Sequence, residues 1–129
     1  MSDFDNKTPI YLQLMDDIKK QILAGQLQPG ERLASVRDIA MAKGVNPNTA
    51  QKALSQLETE SLITTNRTSG RTVTEDKTLI KSMRDDFARG EVLDFLTKMT
   101  SIGYTDPEIL IYIEKIQKER ENNEQHHSS

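Results

Sequence analysis

The chain has no cysteine, which excludes disulfides and all thiolate chemistry, nucleophilic or metal-binding. It has two histidines, His126 and His127, and both fall in the polar final stretch RENNEQHHSS. No Ser/His/Asp or Cys/His arrangement can be built from them, so no catalytic residue, cofactor site or metal site is assigned. Adjacent carboxylates such as Asp85 and Asp86 read as solvated helix surface. No run approaches the roughly 20 apolar residues that a membrane-spanning helix needs. The opening MSDFDNK is acidic and polar, unlike the basic start of a secretory signal. These absences point to a cytoplasmic, non-enzymatic protein without a membrane partner. Its 129 residues suffice for one ordinary domain, or for a small domain with an appendage.

An excess of positive charge is missing too. The net charge is −3, the wrong sign for a polyanion binder, but its distribution is uneven. Residues 1–75 carry nine basic and nine acidic side chains. Within them, residues 32–71 carry six basic (Arg32, Arg37, Lys43, Lys52, Arg67, Arg71) against three acidic (Asp38, Glu58, Glu60). Residues 76–129 carry eight basic and eleven acidic, which accounts for the whole deficit. A locally basic face on the first part and an acidic second part are both allowed.

What is present is helical periodicity with clear punctuation. In TPIYLQLMDDIKKQILAGQLQPG, Thr8 is the expected N-cap and Pro9 the first helical residue. Tyr11, Leu14, Ile18 and Ile22 recur at spacings of three and four on one face. Tyr11 reads as a core or helix-face residue, Gly25 as a stop, and Pro29-Gly30 as a turn. A shorter helix follows in ASVRDIAMAKG, capped by Ser35, with Val36, Ile39 and Ala40 inward and Gly44 as the break. A third opens on Asn46 as N-cap and Pro47 at the first position, and runs to about Glu60. Ala50, Ala53, Leu54 and Leu57 form its apolar stripe. Asn48, Gln51, Lys52, Ser55 and Gln56 face outward.

After that helix the period changes. Leu62 to Thr65 and Arg71 to Thr74 suit two short strands, joined by the turn-forming NRTSG. Two helices around a glycine break, followed by a hairpin, predict a winged helix-turn-helix over residues 1–76. From Thr78 the helical period returns: Leu79, Ile80, Met83, Phe87, Leu93, Leu96 and Met99 form a stripe that Gly90 is expected to bend or interrupt. Gly103 ends that segment. TDPE restarts a helix with Thr105 or Asp106 as cap, and Ile109, Ile113 and Ile116 line its face, widened by Leu110 and Tyr112. The predicted class is mainly α with a small β-hairpin wing, followed by a two-helix region at 77–122. Residues 123–129 are expected to be a frayed polar tail.

The outward residues of the third helix suit DNA. Base edges in the major groove offer paired donors and acceptors that amides, hydroxyls and basic groups can meet. A helix start adds free backbone N–H groups and partial positive charge for phosphate. Asn46, Asn48, Thr49, Gln51 and Lys52 are so placed, with Arg37 nearby on the preceding helix. Arg67 and Arg71 flank the glycine of the hairpin. Caps and solvated surface would explain the third helix taken alone; the break before it and the wing after it favour the DNA reading.

The stretch GERLASVRDIAMAKGVNPNTAQKALSQLETESLITTNRTSGRTV resembles the DNA-binding domain of the GntR family of bacterial transcription regulators. The resemblance runs from Pro9 to about Val73 and is carried by PIYLQL, LASVRDIA, VNPNTAQKAL and LE-x-E-x-LI in that order. It implies operator contacts from Arg37, from Asn46, Asn48, Thr49, Gln51 and Lys52, and from Gly70 with its neighbours Arg67 and Arg71. The chain departs from the family pattern at Ala34, where proline is usual, at Ser61, where glycine is common, and in a loosened wing tip. The short two-helix end resembles the YtrA subfamily, in which such helices dimerise. That makes Leu79, Met83, Phe87, Leu93, Leu96, Ile109, Ile113 and Ile116 the dimerisation candidates. Physical reasoning agrees, because two amphipathic helices bury too little against one small winged helix. A helix pair belonging to the monomer is the competing arrangement.

The expected function is a sequence-specific regulator, a repressor, binding an inverted-repeat operator in double-stranded DNA as a homodimer. A winged-helix protein-interaction module without specific DNA binding is the alternative. A small-molecule effector is left open, and no residue cluster identifies one.

Overall fold

A computed structural model describes residues 8–127. The acidic opening segment and the last two serines lie outside the described residues. Helix α1 spans Ile10–Leu23, one residue later than the sequence suggests. Pro9 is the N-cap, with no side-chain capping bond, and its carbonyl accepts from the Leu12 and Gln13 amides at 3.1 and 3.3 Å. The expected Thr8 cap is therefore corrected. Thr8 instead offers its backbone oxygen to Gln13 Nε2 at 2.7 Å. Leu14, Met15, Ile18, Ile22 and Leu23 are buried, and Tyr11 is half-buried.

Helix α2 spans Val36–Lys43 and helix α3 Pro47–Thr59. Both begin on the expected caps. Ser35 Oγ accepts from the Asp38 amide at 3.1 Å, and Asn46 Oδ1 from the Asn48 amide at 2.8 Å. Only Ala40 of α2 is buried; Val36 and Ile39 are half-buried, because an eight-residue helix laid on α3 covers a narrow strip. Gly44 ends α2 at φ 68°, and Val45 N–H returns to the Ala40 carbonyl at 3.0 Å. This is the six-to-one bond of a Schellman cap, which needs a left-handed residue. The end of α3 repeats the device without a glycine. Ser61 sits at φ 66°, and Leu62 N–H reaches the Leu57 carbonyl at 3.1 Å.

Strands β1 (Ile63–Asn66) and β2 (Gly70–Val73) pair antiparallel, with Ile63 opposite Val73 and Asn66 opposite Gly70. The sequence does not announce a third participant. Arg32 bridges to Thr72, Leu33 N–H donates to the Arg71 carbonyl, and Val73 N–H donates to the Glu31 carbonyl, each at 2.9 Å. The stretch before α2 thus lies along the free edge of β2. Leu14, Ile22, Leu54, Leu57, Leu62, Ile63 and Val73 are fully buried where α1, α3 and the hairpin meet. Burying each leucine there contributes about 1.5–3 kcal/mol. This core holds the polar face of α3 outward.

Helix α4 spans Lys77–Ser101 without a break, so the expected interruption at Gly90 does not occur. A Cβ there would meet nothing within 4 Å, and an interior glycine costs only about 1 kcal/mol, too little to break a helix of good formers. Gly103, at φ 97°, closes α4. Helix α5 spans Asp106–His127 and opens on a capping box: Thr105 N–H donates to Glu108 Oε1 at 3.0 Å, and Glu108 N–H to Thr105 Oγ1 at 3.4 Å. It continues to His127, into the segment expected to fray, because KERENNEQ contains no proline or glycine and is rich in helix formers. Residues up to Asp85 form one compact unit and those from Asp86 a second. The start of α4, up to Asp85, thus falls within the first unit. Ile80 is buried, and Arg84 Nε donates to the Leu23 carbonyl at 2.9 Å.

Candidate nucleic-acid interface

The exposed end of α3 is built from its own cap. Asn46 spends its side-chain oxygen on the Asn48 amide, Pro47 has no N–H to satisfy, and the Ala50 amide bonds back to the Asn46 carbonyl at 3.1 Å. That leaves the Thr49 amide without a partner among the described residues, a donor at the positive end of a helix dipole. Asn48 is exposed beside it, and so is Gln51 one turn further on. Gln51 Nε2 donates to Ser55 Oγ at 3.1 Å, which orients the amide and leaves its oxygen open.

Lys52 is less free than its position suggests. Its ammonium lies 4.0 Å from the centroid of the Tyr11 ring, a cation–π contact across the α1–α3 junction. Tyr11 is thus the floor on which a site cation rests. Periodicity puts it on the helix face and gives no sign of its partner. Arg37, the second residue of α2, is exposed and makes no ion pair among the described residues. Because α2 packs on α3, Arg37 and the first turns of α3 belong to one rigid body.

The wing separates its arginines. Arg67 is exposed in the three-residue turn and Gly70 follows it at φ 71°, the left-handed conformation this hairpin closure demands. Arg71 behaves differently. Its Nε lies 2.6 Å from Glu58 Oε1 near the end of α3, and Thr65 Oγ1 donates to the same oxygen at 2.8 Å. These bonds, Thr65 first and Arg71 next, hold the Glu58 carboxyl below the ordinary carboxylate range. Arg71 thus ties wing to helix, a role its place beside a wing glycine does not reveal. Lys19 of α1 pairs with Glu60 at 3.1 Å, close to the same corner.

The dimerisation candidates divide as well. Leu79 and Met83 are half-buried and belong to the winged-helix unit. Phe87, Leu96 and Ile113 are half-buried, while Leu93 and Ile116 are exposed. Ile109 is 1% exposed, so it is already consumed within the chain and offers nothing to a partner. The open apolar surface instead includes Val92, Phe95, Ile102, Leu110 and Ile111, the last at 68% exposure. Period alone cannot separate these two sets, because Leu110, Ile111 and Tyr112 make α5 apolar on more than one face.

Among the described residues no cluster suits a metal ion and no helix is long and apolar enough to cross a membrane.

Comparison with known proteins agrees with this geometry. Residues 10–73 match the family described as bacterial regulatory proteins, gntR family. The HTH-type transcriptional regulator YhcF of Bacillus subtilis is 33% identical over 109 residues, covering 84% of this chain and 90% of that protein. The HTH-type transcriptional repressor YtrA of the same organism is 41% identical over 71 residues, 55% of each chain. A GntR family transcriptional regulator from Listeria monocytogenes superposes with a TM-score of 0.81 at 35% identity, covering 87% of this chain and 98% of the other. These relatives are regulators and not enzymes. With a winged helix-turn-helix followed by two C-terminal helices, the chain belongs to the GntR family of bacterial transcription regulators and fits its YtrA subfamily.

Proposed function

We propose that the protein is a homodimeric repressor that binds an inverted-repeat operator, each α3 entering one major groove. The observation that carries this reading is the exposed start of α3: the Thr49 amide, Asn48 and the oriented Gln51, on one rigid body with Arg37, the amide and Arg37 both without a partner among the described residues. Amide side chains suit adenine edges, arginine suits guanine, and the helix start suits phosphate. A relative named as a repressor, YtrA, supports repression as the mode of control.

The pairing of two chains rests on α5. From Leu110 to Gln125 only Ile113 is even half-buried, yet the segment carries Leu110, Ile111, Tyr112 and Ile116. Isolated helices of this kind are marginal in water, and packing of an apolar face supplies most helical stability. A second copy supplies that packing, and a two-fold pair produces the symmetry an inverted repeat reflects. A cleft of about 550 Å³ beside Ile22 and Ile80, rimmed by Lys77, Lys81 and Arg84, has room for a small-molecule effector.

Selection of bound fragments from random DNA tests the proposal. The recovered sites should be pseudo-palindromes with half-site centres separated by roughly 10 base pairs or a multiple. Arg37→Ala and Gln51→Ala should each weaken operator binding by about 1–3 kcal/mol, roughly 5- to 150-fold, without unfolding the protein. Equal binding to operator and random DNA would instead indicate a protein-interaction module.

A further inference from the structure

We infer that Arg32, in the segment that edges the wing, is a DNA-backbone contact, and that Arg71 is a positioning residue that sets the wing and touches no DNA. The inference deepens the operator-binding reading above and rests on it. It follows from strand alternation. Side chains along a strand alternate faces, and residues opposite each other in an antiparallel pair share a face. Ile63 and Val73 face each other and are buried, so that face is the inner one. Two residues along each strand, Thr65 and Arg71 are also opposite, hence inward, and both reach Glu58. Thr64 and Thr72 take the outer face, where their hydroxyls meet at 3.1 Å.

Arg32 is the bridge partner of Thr72 and therefore shares that outer face. It is exposed and forms no ion pair among the described residues. Its side chain runs toward the wing tip: Nε lies 3.9 Å from where a Cβ on Gly70 would stand. The tip therefore presents Arg67 from the turn and Arg32 from the neighbouring edge, with Gly70 between them and Asn66 Nδ2 beside them, donating to Thr72 Oγ1 at 3.2 Å. Two guanidinium groups flanking a glycine suit a phosphate backbone passing over the tip. Arg71 is turned the other way, and its charge is spent on a carboxylate held ionised by the Thr65 hydroxyl and by Arg71 itself.

The test is a salt series of operator affinities for the full chain and its Arg32→Ala, Arg32→Lys, Arg67→Ala, Arg71→Ala and Arg37→Ala variants. Each lost phosphate contact lowers the slope of log affinity against log salt by about 0.9, uniformly across DNA sequences. The expected result is a drop of that size for Arg32→Ala and Arg67→Ala, the wild-type slope for Arg32→Lys, and an unchanged slope for Arg71→Ala. Arg71→Ala should instead lower the melting temperature, and should lower it little further in a Glu58→Ala background, where its partner is already gone. A full slope in Arg32→Ala, or a reduced one in Arg71→Ala, overturns the inference. If the wild type binds no operator, or Arg37→Ala binds as well as wild type, the operator-binding reading itself has failed, and this inference with it.

Discussion

Ser61→Gly should stabilise the protein, and its size can be worked out from the end of α3. Ser61 stands at φ 66° because the Leu62-to-Leu57 bond can close only through a left-handed residue. For an L-residue that conformation costs roughly 1–2 kcal/mol. Glycine removes the cost but gains freedom in the unfolded chain, which returns about 0.4–1 kcal/mol. Ser61 is exposed, and its hydroxyl makes no hydrogen bond among the described residues, so the substitution sacrifices no side-chain bond. The net is a stabilisation of about 0.5–1 kcal/mol, or roughly 2–6 °C in the melting temperature of a unit this size.

Gly44→Ala is the mirror experiment. Gly44 ends α2 at φ 68° with no atom within 4 Å of an added Cβ, so alanine there tests backbone strain alone. It should destabilise by about the same 0.5–1 kcal/mol. Thermal melts of both variants, followed by circular dichroism with DNA binding as a check on the fold, measure the pair. If Ser61→Gly melts at or below the wild-type temperature while Gly44→Ala melts lower, the strain assigned to Ser61 is absent and the reasoning is refuted.

Two further outcomes follow from the same geometry. Leu110→Asp with Ile111→Asp should convert the proposed dimer to monomer in light scattering, because both side chains are exposed and the proposed pairing covers them; a double variant that stays dimeric would place the interface elsewhere. Glu58 should make stability acid-sensitive: its folded pKa lies below the ordinary 4.5, so its contribution is present above that value and fades as pH falls through the folded pKa. Melting temperatures between about pH 3 and pH 6 should therefore fall more steeply for wild type than for Glu58→Gln, and parallel curves would remove Glu58 from the lock.

Local chemistry makes much of this molecule legible. Ser35, Asn46 with Pro47, and the Thr105–Glu108 pair cap their helices as their residue types demand, because a cap is decided within four residues. The helix-break-helix-hairpin order follows from changes of period. What escapes the sequence depends on partners distant along the chain. Arg71 looks like a wing cation until Glu58, thirteen residues earlier, is seen to face it. The edge segment at Arg32 joins the sheet by a single bridge, too short to leave a period. Gly90 looks like a break only while its cost of about 1 kcal/mol is weighed without context. The helical residues on either side of it, from Lys77 and on to Ser101, outweigh that cost. Ile109 reads as an interface residue because periodicity reports that a side chain is covered and is silent on which chain covers it.

These pieces divide α3 into two working ends. Its first turns carry the groups suited to base edges, Asn48 and Gln51, and the free Thr49 amide. Its last turn carries Glu58, which holds Thr65 and Arg71, and passes through Glu60, which holds Lys19 of α1, into the strained Ser61. The wing is therefore aimed by the same helix that is proposed to enter the groove, through bonds at the opposite end from the proposed reading residues. Where glycine is usual in the family, serine keeps the left-handed turn at an energetic cost, so the departure preserves the wing's path and does not redirect it. A change at Glu58 or Ser61 would accordingly alter stability while leaving base preference intact. A change at Asn48 or Gln51 would do the reverse. Separable effects of that kind are what a rigid helix with two differently occupied ends requires, since nothing at one end touches the groups at the other.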